Sequence, residues 1–181
     1  MCCKVGESGV GSPAIGPGWR GSSHSATSVR THPGTFDVAF RGTFDFTLDA
    51  KNRLTVPAKF RAALADGVVL AAGIEPCVAI WTPAAYEAQV DAALQGSNPF
   101  SARAREARRY FSANANEVEL DAAGRVMIPS RLAEHANLDR EVVVIGQGQC
   151  LEVWDRDAWE QYNRDLTGRM SDITESLGHP A

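Results

Sequence analysis

The 181-residue chain lacks the features that mark several large classes of protein. No apolar run approaches the roughly 20 residues that a helix needs to cross a bilayer. The four cysteines form no C-x-x-C pair, which excludes the usual zinc-finger spacing, and nothing in their placement indicates the disulfide framework of a small secreted domain. A reducing cytoplasm is therefore the expected environment.

The residue types from which active sites are built are also scattered. The four histidines lie far apart, and no histidine, cysteine and carboxylate cluster has metal-ligand spacing. There is no glycine-rich phosphate loop and no nucleophile elbow. Together these absences argue against an enzyme, and we expect no cofactor, no metal and no small-molecule substrate.

The charge of the chain is unevenly distributed. The formal net charge of −4 argues by itself against a nonspecific nucleic-acid binder. Residues 51–61, however, contain four basic residues and no acidic one. The four are Lys51, Arg53, Lys59 and Arg61. A local basic patch on an acidic protein can still be the footprint of nucleic acid.

An internal repeat organises the chain from Phe40 to about Tyr162. When residues 46–60 are aligned with 118–132, five of fifteen positions are identical. The repeated pairs include Asp49/Asp121, Arg53/Arg125 and Pro57/Pro129, all at one constant displacement along the chain. A repeat of this length predicts that one structural unit is used twice.

Each copy of the repeat predicts a tight turn that leads into a strand. Asn52 and Gly124 occupy the same position, and these residue types tolerate a positive φ best. An Asp at the start of such a turn can bond to its own backbone, and an Arg four residues later can pair with it. We therefore predict a held β-hairpin loop that presents Arg53 or Arg125 in a fixed direction, followed by a proline and a short helix.

Further strands are predicted on both sides of these turns. They are half-buried or buried and cover residues 40–48, 68–73, 77–81, 142–146 and 150–154. Cys77 and Cys150 lie within these apolar strands, so we interpret both as small core residues. We interpret Trp81, Trp154 and Trp159 as core or interface aromatics.

Three helices are predicted around the strands, and Asp155 is the predicted cap of the last one. Thr82-Pro83 caps one that ends at Gly96, and Asn98-Pro99 opens a connector helix that runs to about Phe111. Residues 163–181 are predicted to form a frayed polar tail that is helical at first. The connector helix carries Arg103, Arg105, Arg108 and Arg109. We interpret this cluster as a solvated or subunit-facing surface rather than a DNA surface.

The segment 1–39 differs in composition from the rest of the chain. Residues 1–34 contain seven Gly, six Ser and three Pro, and a segment of this composition is expected to be disordered. Two interpretations remain open for residues 1–37. They are a disordered extension, or they precede a true start at Val38.

At the two D-x-x-x-R motifs, Asp49–Arg53 and Asp121–Arg125, the chain resembles the MraZ family of bacterial transcriptional regulators. The likeness extends to Phe40-Arg41-Gly42, the Asn98-Pro99 connector, Val143-Val144-Ile145-Gly146-Gln147 and Glu152-Val153-Trp154-Asp155. Each motif is short, but their order along the chain makes the combination specific. Asn52 departs from the family's usual Gly in the first motif.

The resemblance implies a mainly-β α+β fold, in which two tandem SpoVT/AbrB-like swapped-hairpin units form a small pseudo-dimeric barrel with flanking helices. The implied domains are 43–85 and 114–157, with a helical connector at 86–113 and a C-terminal helix and tail at 158–181. The residue physics leaves open whether Arg53 and Arg125 contact DNA or only support Asp49 and Asp121.

The resemblance further implies a ring-shaped homo-oligomer in the cytoplasm and nucleoid. It would bind short direct repeats of double-stranded DNA upstream of its own division and cell-wall gene cluster and repress that cluster. The predicted DNA contacts are Arg53, Lys51, Lys59, Arg61 and Arg125. The predicted structural positions of the motifs are Asp49, Asn52, Pro57, Asp121, Gly124 and Pro129. The alternative is an antitoxin-like protein-interaction module without specific DNA binding.

Overall fold

The computed structural model describes residues 39–178, and the predictions for residues 1–37 lie outside this range. In this range eight strands occur: β1 (Phe40–Thr47), β2 (Arg53–Thr55), β3 (Val68–Ala72), β4 (Val78–Trp81), β5 (Ala115–Val118), β6 (Arg125–Met127), β7 (Glu141–Gly148) and β8 (Leu151–Asp155). The same range contains the helices α1 (Pro83–Leu94), α2 (Ala102–Ala113), α3 (Ser130–His135) and α4 (Arg156–Gly178), with 3₁₀ turns at Ala58–Phe60 and Ala62–Leu64.

The strands of the two repeats are interleaved. Six of them form an open antiparallel sheet in the order β1-β7-β8-β4-β3-β5, and β2 pairs with β6 in a separate two-stranded ribbon. The counterparts in the two repeats are β1 and β5, β2 and β6, β3 and β7, and β4 and β8. Exchanging each strand for its counterpart gives the same order read from the opposite edge of the sheet. A pseudo-two-fold axis therefore passes between β4 and β8 and between β2 and β6. The strands and helices confirm the predicted mainly-β α+β fold.

Strand exchange explains why neither repeat is a separate folded unit. β1 of the first repeat pairs with β7 of the second, and β5 of the second pairs with β3 of the first. A strand at a sheet edge would otherwise expose its backbone donors and acceptors. Each repeat thus supplies part of the other's hydrogen-bond ladder, and all described residues belong to one compact unit.

The main core lies where the ribbon packs on the six-stranded sheet. Leu54 and Val126, opposite each other in the ribbon, are both completely buried. They join one cluster with apolar side chains of the sheet, including Val68, Leu70, Val78, Ile80, Val142, Val144, Leu151 and Val153. Because burying one such side chain contributes about 1.5–3 kcal/mol, this core fixes the ribbon's position on the sheet.

A second, smaller core lies under α1, on the face of β3 and β4 that points away from the main core. Tyr86 and Val90 of α1 pack there with Trp81 and Cys150. Burial raises the pKa of the Cys150 thiol to about 12, so the thiol stays protonated at neutral pH. Cys77 is also buried and free, which confirms that both cysteines are core residues.

The helix boundaries confirm some predictions and correct others. Thr82 caps α1 by accepting a hydrogen bond from the N–H of Ala85 (3.2 Å), as predicted. The connector helix does not begin at Asn98-Pro99. Ser101 is its cap, since its hydroxyl accepts the N–H of Ala104 at 3.2 Å.

The predicted tail at 163–181 is helical at first, as expected, but for longer than expected, since α4 continues to Gly178; residues 179–181 lie outside the described range. Asp155 caps this helix by accepting the N–H groups of Asp157 and Ala158. Near its start, Trp159 and Tyr162 pack against Trp154 of β8. Among residues 39–178, no helix combines the length and the apolar character of a membrane span.

Candidate nucleic-acid interface

The first D-x-x-x-R motif forms a closed turn around the carboxylate of Asp49. One oxygen, Oδ1, accepts the backbone N–H groups of Lys51 (2.8 Å) and Arg53 (3.0 Å). The other, Oδ2, accepts Nε of Arg53 at 2.6 Å. Asn52 has φ of 55°, in the left-handed region as predicted. The turn therefore holds the Arg53 side chain by its Nε.

The second motif repeats this arrangement around Asp121. Its Oδ1 accepts the N–H groups of Ala123 (2.9 Å) and Arg125 (3.0 Å), and its Oδ2 accepts Nε of Arg125 at 2.8 Å. Gly124 has φ of 72°. Both turns thus have the same backbone bonds and hold their arginine by the same nitrogen.

The two arginines make their shortest contacts with their carboxylates through different nitrogens. Nη2 of Arg125 lies 2.7 Å from Oδ2 of Asp121, so this guanidinium approaches its carboxylate with two nitrogens. The shortest contact of Arg53 with Asp49 is the one from Nε, at 2.6 Å. Within residues 39–178, the terminal nitrogens of Arg53 donate no hydrogen bond. Because Lys51 stands in the first turn where the second has Ala123, the first turn is the more favourable of the two for an anionic acceptor.

The two turns are linked across the pseudo-two-fold axis. The carbonyl of Asn52 accepts the N–H of Ile128 (2.9 Å), and the carbonyl of Gly124 accepts the N–H of Val56 (3.0 Å). The strands that flank a turn are therefore not paired with each other as in a simple β-hairpin. Each turn instead bonds to the strand of the other repeat, so the two arginines are placed by a single ribbon.

The ribbon has one buried face and one outward face. In its register Arg53 lies opposite Met127 and Thr55 lies opposite Arg125, while the intervening pair is buried in the core. Directly opposed residues of an antiparallel pair point to the same side. Arg53, Thr55, Arg125 and Met127 thus share the outward face. Neither Thr55 nor Met127 was among the predicted site residues, although the period of two in each strand places them beside the arginines.

The charges of the two turns are fixed at neutral pH. Hydrogen bonds, first from the backbone N–H of Arg53, lower the pKa of Asp49 to about 2. The pKa of Asp121 is lowered too, chiefly by the hydrogen bond from the Arg125 side chain. The pKa of Arg125 is raised by Asp121 and also by the charge of Asp49. Each carboxylate therefore stays ionised and keeps its turn closed.

The other predicted DNA contacts differ in how free their charged groups are. Within the described residues, the Lys51 ammonium at the tip of the first turn makes no hydrogen bond or ion pair. The Lys59 ammonium donates to the carbonyl of Arg41 (2.9 Å) and lies over the ring of Phe44, 4.5 Å from its centroid. Cation–π contacts of this kind hold an ammonium group on the protein. Lys51 is therefore the more available of the two charges.

Arg61 lies over the second turn rather than the first. Its Nε donates to the carbonyl of Val56 (2.9 Å), and a Cβ added to Gly124 would collide with its guanidinium. The counterpart of Arg61 in the second repeat is Ala133, so the symmetric position above Asn52 holds only a methyl group. Gly124 therefore has no room for a side chain beneath Arg61, whereas Asn52 has room for one.

We expect Gly124→Asn to lower the free energy of unfolding by about 1–2 kcal/mol, because Arg61 must give up its hydrogen bond to make room. In an Arg61→Ala background the same substitution should lower the free energy of unfolding far less. Residues 124 and 61 of the double variant would then be Asn and Ala, as Asn52 and Ala133 are at the symmetric position. Urea unfolding of wild type, both single variants and the double variant gives the coupling free energy, expected at about 1 kcal/mol. Additive single effects would contradict this account.

The arginines of the connector helix lie away from this constellation in sequence and on a different element. Arg103, Arg105, Arg108 and Arg109 are exposed on α2. Arg105 donates to the carbonyl of Phe100 and closes the start of the helix. Within residues 39–178, no group of three or more side chains could hold a metal ion.

Comparison with known proteins connects this geometry to a family. The family described as "MraZ protein, putative antitoxin-like" matches the chain twice, over residues 39–109 and 111–176. The second match begins as far beyond the first as Asp121 lies beyond Asp49. The matches therefore follow the repeat that the two motifs define.

Three relatives illustrate the extent of the likeness, and all three are named "Transcriptional regulator MraZ". The protein of Kocuria rhizophila is 39% identical over 138 residues, which cover 76% of this chain and 96% of that protein. Those of Micrococcus luteus (37% over 138 residues; 76% and 96%) and Thermoanaerobacter pseudethanolicus (35% over 136 residues; 75% and 94%) are similar over a region of the same extent. These are regulators rather than enzymes, which confirms our interpretation that the chain is not an enzyme. Because the family matches both repeats and the similarity covers nearly the full length of these relatives, the chain belongs to the MraZ family.

Proposed function

We propose that this protein is a sequence-specific DNA-binding transcriptional regulator whose ribbon is the DNA-reading surface. The observation that carries the proposal is the first closed turn. It holds Arg53 by Nε and leaves its terminal nitrogens without a hydrogen-bond acceptor among residues 39–178. A guanidinium presented in this way can donate two parallel hydrogen bonds to guanine or to a phosphate. The names of its relatives support the same function.

Each predicted basic residue has a distinct role in this proposal. Arg53 reads or clamps the DNA, with Arg125 beside it on the outward face. Lys51 neutralises a phosphate directly. Lys59 and Arg61 contribute to the phosphate field, but a direct contact requires each to leave its intramolecular partner.

The assembly we propose is a ring of identical subunits, each with its two repeats forming a small pseudo-dimeric barrel. A ring repeats the ribbon at regular spacing, so several weak sites bind tandem DNA boxes through effective concentration. That lets a protein of net charge −4 bind DNA without a large basic surface. The boxes would be direct repeats upstream of the protein's own operon. The protein would repress that operon, and it would be located in the cytoplasm and at the nucleoid.

The sequence units of this proposal are 43–85 and 114–157 as the two AbrB-like domains, with 86–113 as connector and 158–181 as C-terminal helix and tail. They are units of sequence rather than separate bodies, because β1 and β5 each pair with the other repeat. Either repeat expressed alone should therefore give no stable monomer, since it would expose unpaired strand edges. Size-exclusion chromatography and circular dichroism of the separate repeats check this, and a folded monomer would contradict it.

The function is tested by fluorescence anisotropy with a duplex from upstream of the protein's own gene and a scrambled duplex of equal length. We expect the native duplex to bind more tightly at every salt concentration. The slope of log K against log[salt] should flatten by about 0.9 for each engaged subunit in Lys51→Ala, and by less in Lys59→Ala. Equal binding of both duplexes would refute the proposal, and an unchanged slope would remove the substituted lysine from the contacts.

The alternative is an antitoxin-like module whose partner is a protein, as the family description also suggests. The observation that favours it is the outer half of α4, where Met170 and Leu177 are exposed on one helix face. Capture of a protein partner that competes with DNA, or replaces DNA binding altogether, would support this alternative.

A further inference from the structure

The outward face of the ribbon departs from two-fold symmetry at one position. Arg53 and Arg125 are related by the pseudo-two-fold axis, and so are Thr55 and Met127. Thr55 is short and carries a hydroxyl, whereas Met127 is long, flexible and apolar. Met127 is 60% exposed and belongs to neither apolar cluster of the fold. Burial in the core therefore does not account for a methionine here.

A single exposed apolar side chain is common on protein surfaces and by itself indicates nothing. The position of Met127 is more specific. It lies directly opposite Arg53, so a flexible apolar group and a guanidinium point outward side by side. The methionine costs the fold little, because the buried pair beneath it is unaffected.

The major groove of B-DNA admits a two-stranded β-ribbon, and the methyl group of thymine is the apolar feature displayed there. A methionine can adapt its shape to such a group because it is unbranched and has several rotatable bonds. We propose that Met127 contacts the methyl group of a thymine next to the base that Arg53 reads. This inference rests on the proposed DNA-binding function and adds a specificity-determining residue to it.

The contact would also set the direction of the ribbon on DNA. A ribbon with identical side chains on both strands could lie on a site in either of two orientations with equal free energy. Here one end carries Arg53, Met127 and the free Lys51, and the other carries Arg125, Thr55 and Ala123. A thymine at one end of the box then favours one orientation.

The test removes the two partners of the contact in turn, first the methyl group of the thymine and then the side chain of Met127. Each thymine of the native upstream duplex is replaced singly by deoxyuridine, which keeps the base pair and lacks the C5 methyl group. Binding of these duplexes is measured by anisotropy for wild type, Met127→Thr and, as the matched control, Thr55→Ala. Met127→Thr copies the residue of the other repeat at an exposed position, so its folding should be unaffected.

We expect wild type to lose about fourfold in affinity at one thymine, the equilibrium equivalent of one buried methyl-sized group. Met127→Thr should bind the unmodified duplex about fourfold more weakly and show no further loss at that uracil. Thr55→Ala should show the same fold loss at that uracil as wild type, relative to its own binding of the unmodified duplex. If Met127→Thr still senses the same methyl group, or if no thymine matters to wild type although the native duplex is preferred, the inference is overturned and the proposed function stands. If wild type does not distinguish native from scrambled DNA, both fail.

Discussion

Replacing Arg53 with alanine should abolish most of the preference for the native duplex, with a loss of about tenfold to hundredfold in the ratio of specific to scrambled binding. That range corresponds to the discrimination of one bidentate arginine contact. The loop should survive the change, because Asp49 keeps its hydrogen bonds from the N–H groups of Lys51 and residue 53. The effect would therefore report on recognition and not on folding.

Two matched variants sharpen this measurement. Arg53→Lys keeps the charge but loses the planar fork, so we expect it to retain nonspecific binding and lose discrimination. Arg125→Ala removes the symmetric arginine and should have the smaller effect, because Nη2 of Arg125 is already paired with Asp121. Native mass spectrometry establishes that each variant assembles. If the Arg53→Ala protein assembles and keeps its full preference for the native duplex, the arginine only supports Asp49 in the turn.

The largest expected effect on stability is that of Gly146→Ala, at about 3 kcal/mol of unfolding free energy. Gly146 of β7 lies opposite Gly42 of β1, and a Cβ added to it would collide with the backbone of Phe40 and Arg41. Backbone cannot rotate out of the way as a side chain can. The exchanged strand β1 would have to move away from β7 and lose part of its ladder.

The control for this variant is Gly168→Ala on α4, where an added Cβ meets nothing within 4 Å. An alanine in a helix interior should stabilise the protein by up to about 1 kcal/mol relative to glycine. Urea unfolding followed by tryptophan fluorescence, at one fixed protomer concentration, compares the two variants with wild type. A midpoint for Gly146→Ala equal to that of wild type would show that β1 tolerates displacement.

Local sequence patterns predicted the turns because their chemistry is local. Asp49, Asn52 and Arg53 lie within one turn, and an Asp that bonds forward to backbone N–H groups requires no distant partner. The cap at Thr82 was predictable for the same reason. The start of α2 was not, since Asn98 and Ser101 are both good caps. In the structure Asn98 accepts the N–H of Phe100 in the turn before the helix, and Ser101 caps the helix itself.

The candidate site was only partly predictable. The repeated motif identified Arg53 and Arg125, and the charge pattern identified Lys51, Lys59 and Arg61. No local pattern shows that Lys59 rests on Phe44 or that Arg61 covers Gly124, since these partners lie in other elements, far away along the chain. The outward position of Met127 likewise depends on the pairing of β2 with β6.

The sequence by itself determined the duplication, the two held turns and the family to which the chain belongs. All three follow from short motifs, chiefly the two D-x-x-x-R motifs, which can be recognised without knowledge of the tertiary structure. No local residue pattern predicted that the repeats exchange strands; swapped hairpins were implied only by the family resemblance, and the tertiary structure decided which strands pair across the repeats. A strand with unpaired backbone groups bonds to whichever edge the folded core brings beside it, and here the core places each edge against the other repeat. That exchange joins two separate turns into one ribbon and places both arginines on a single face.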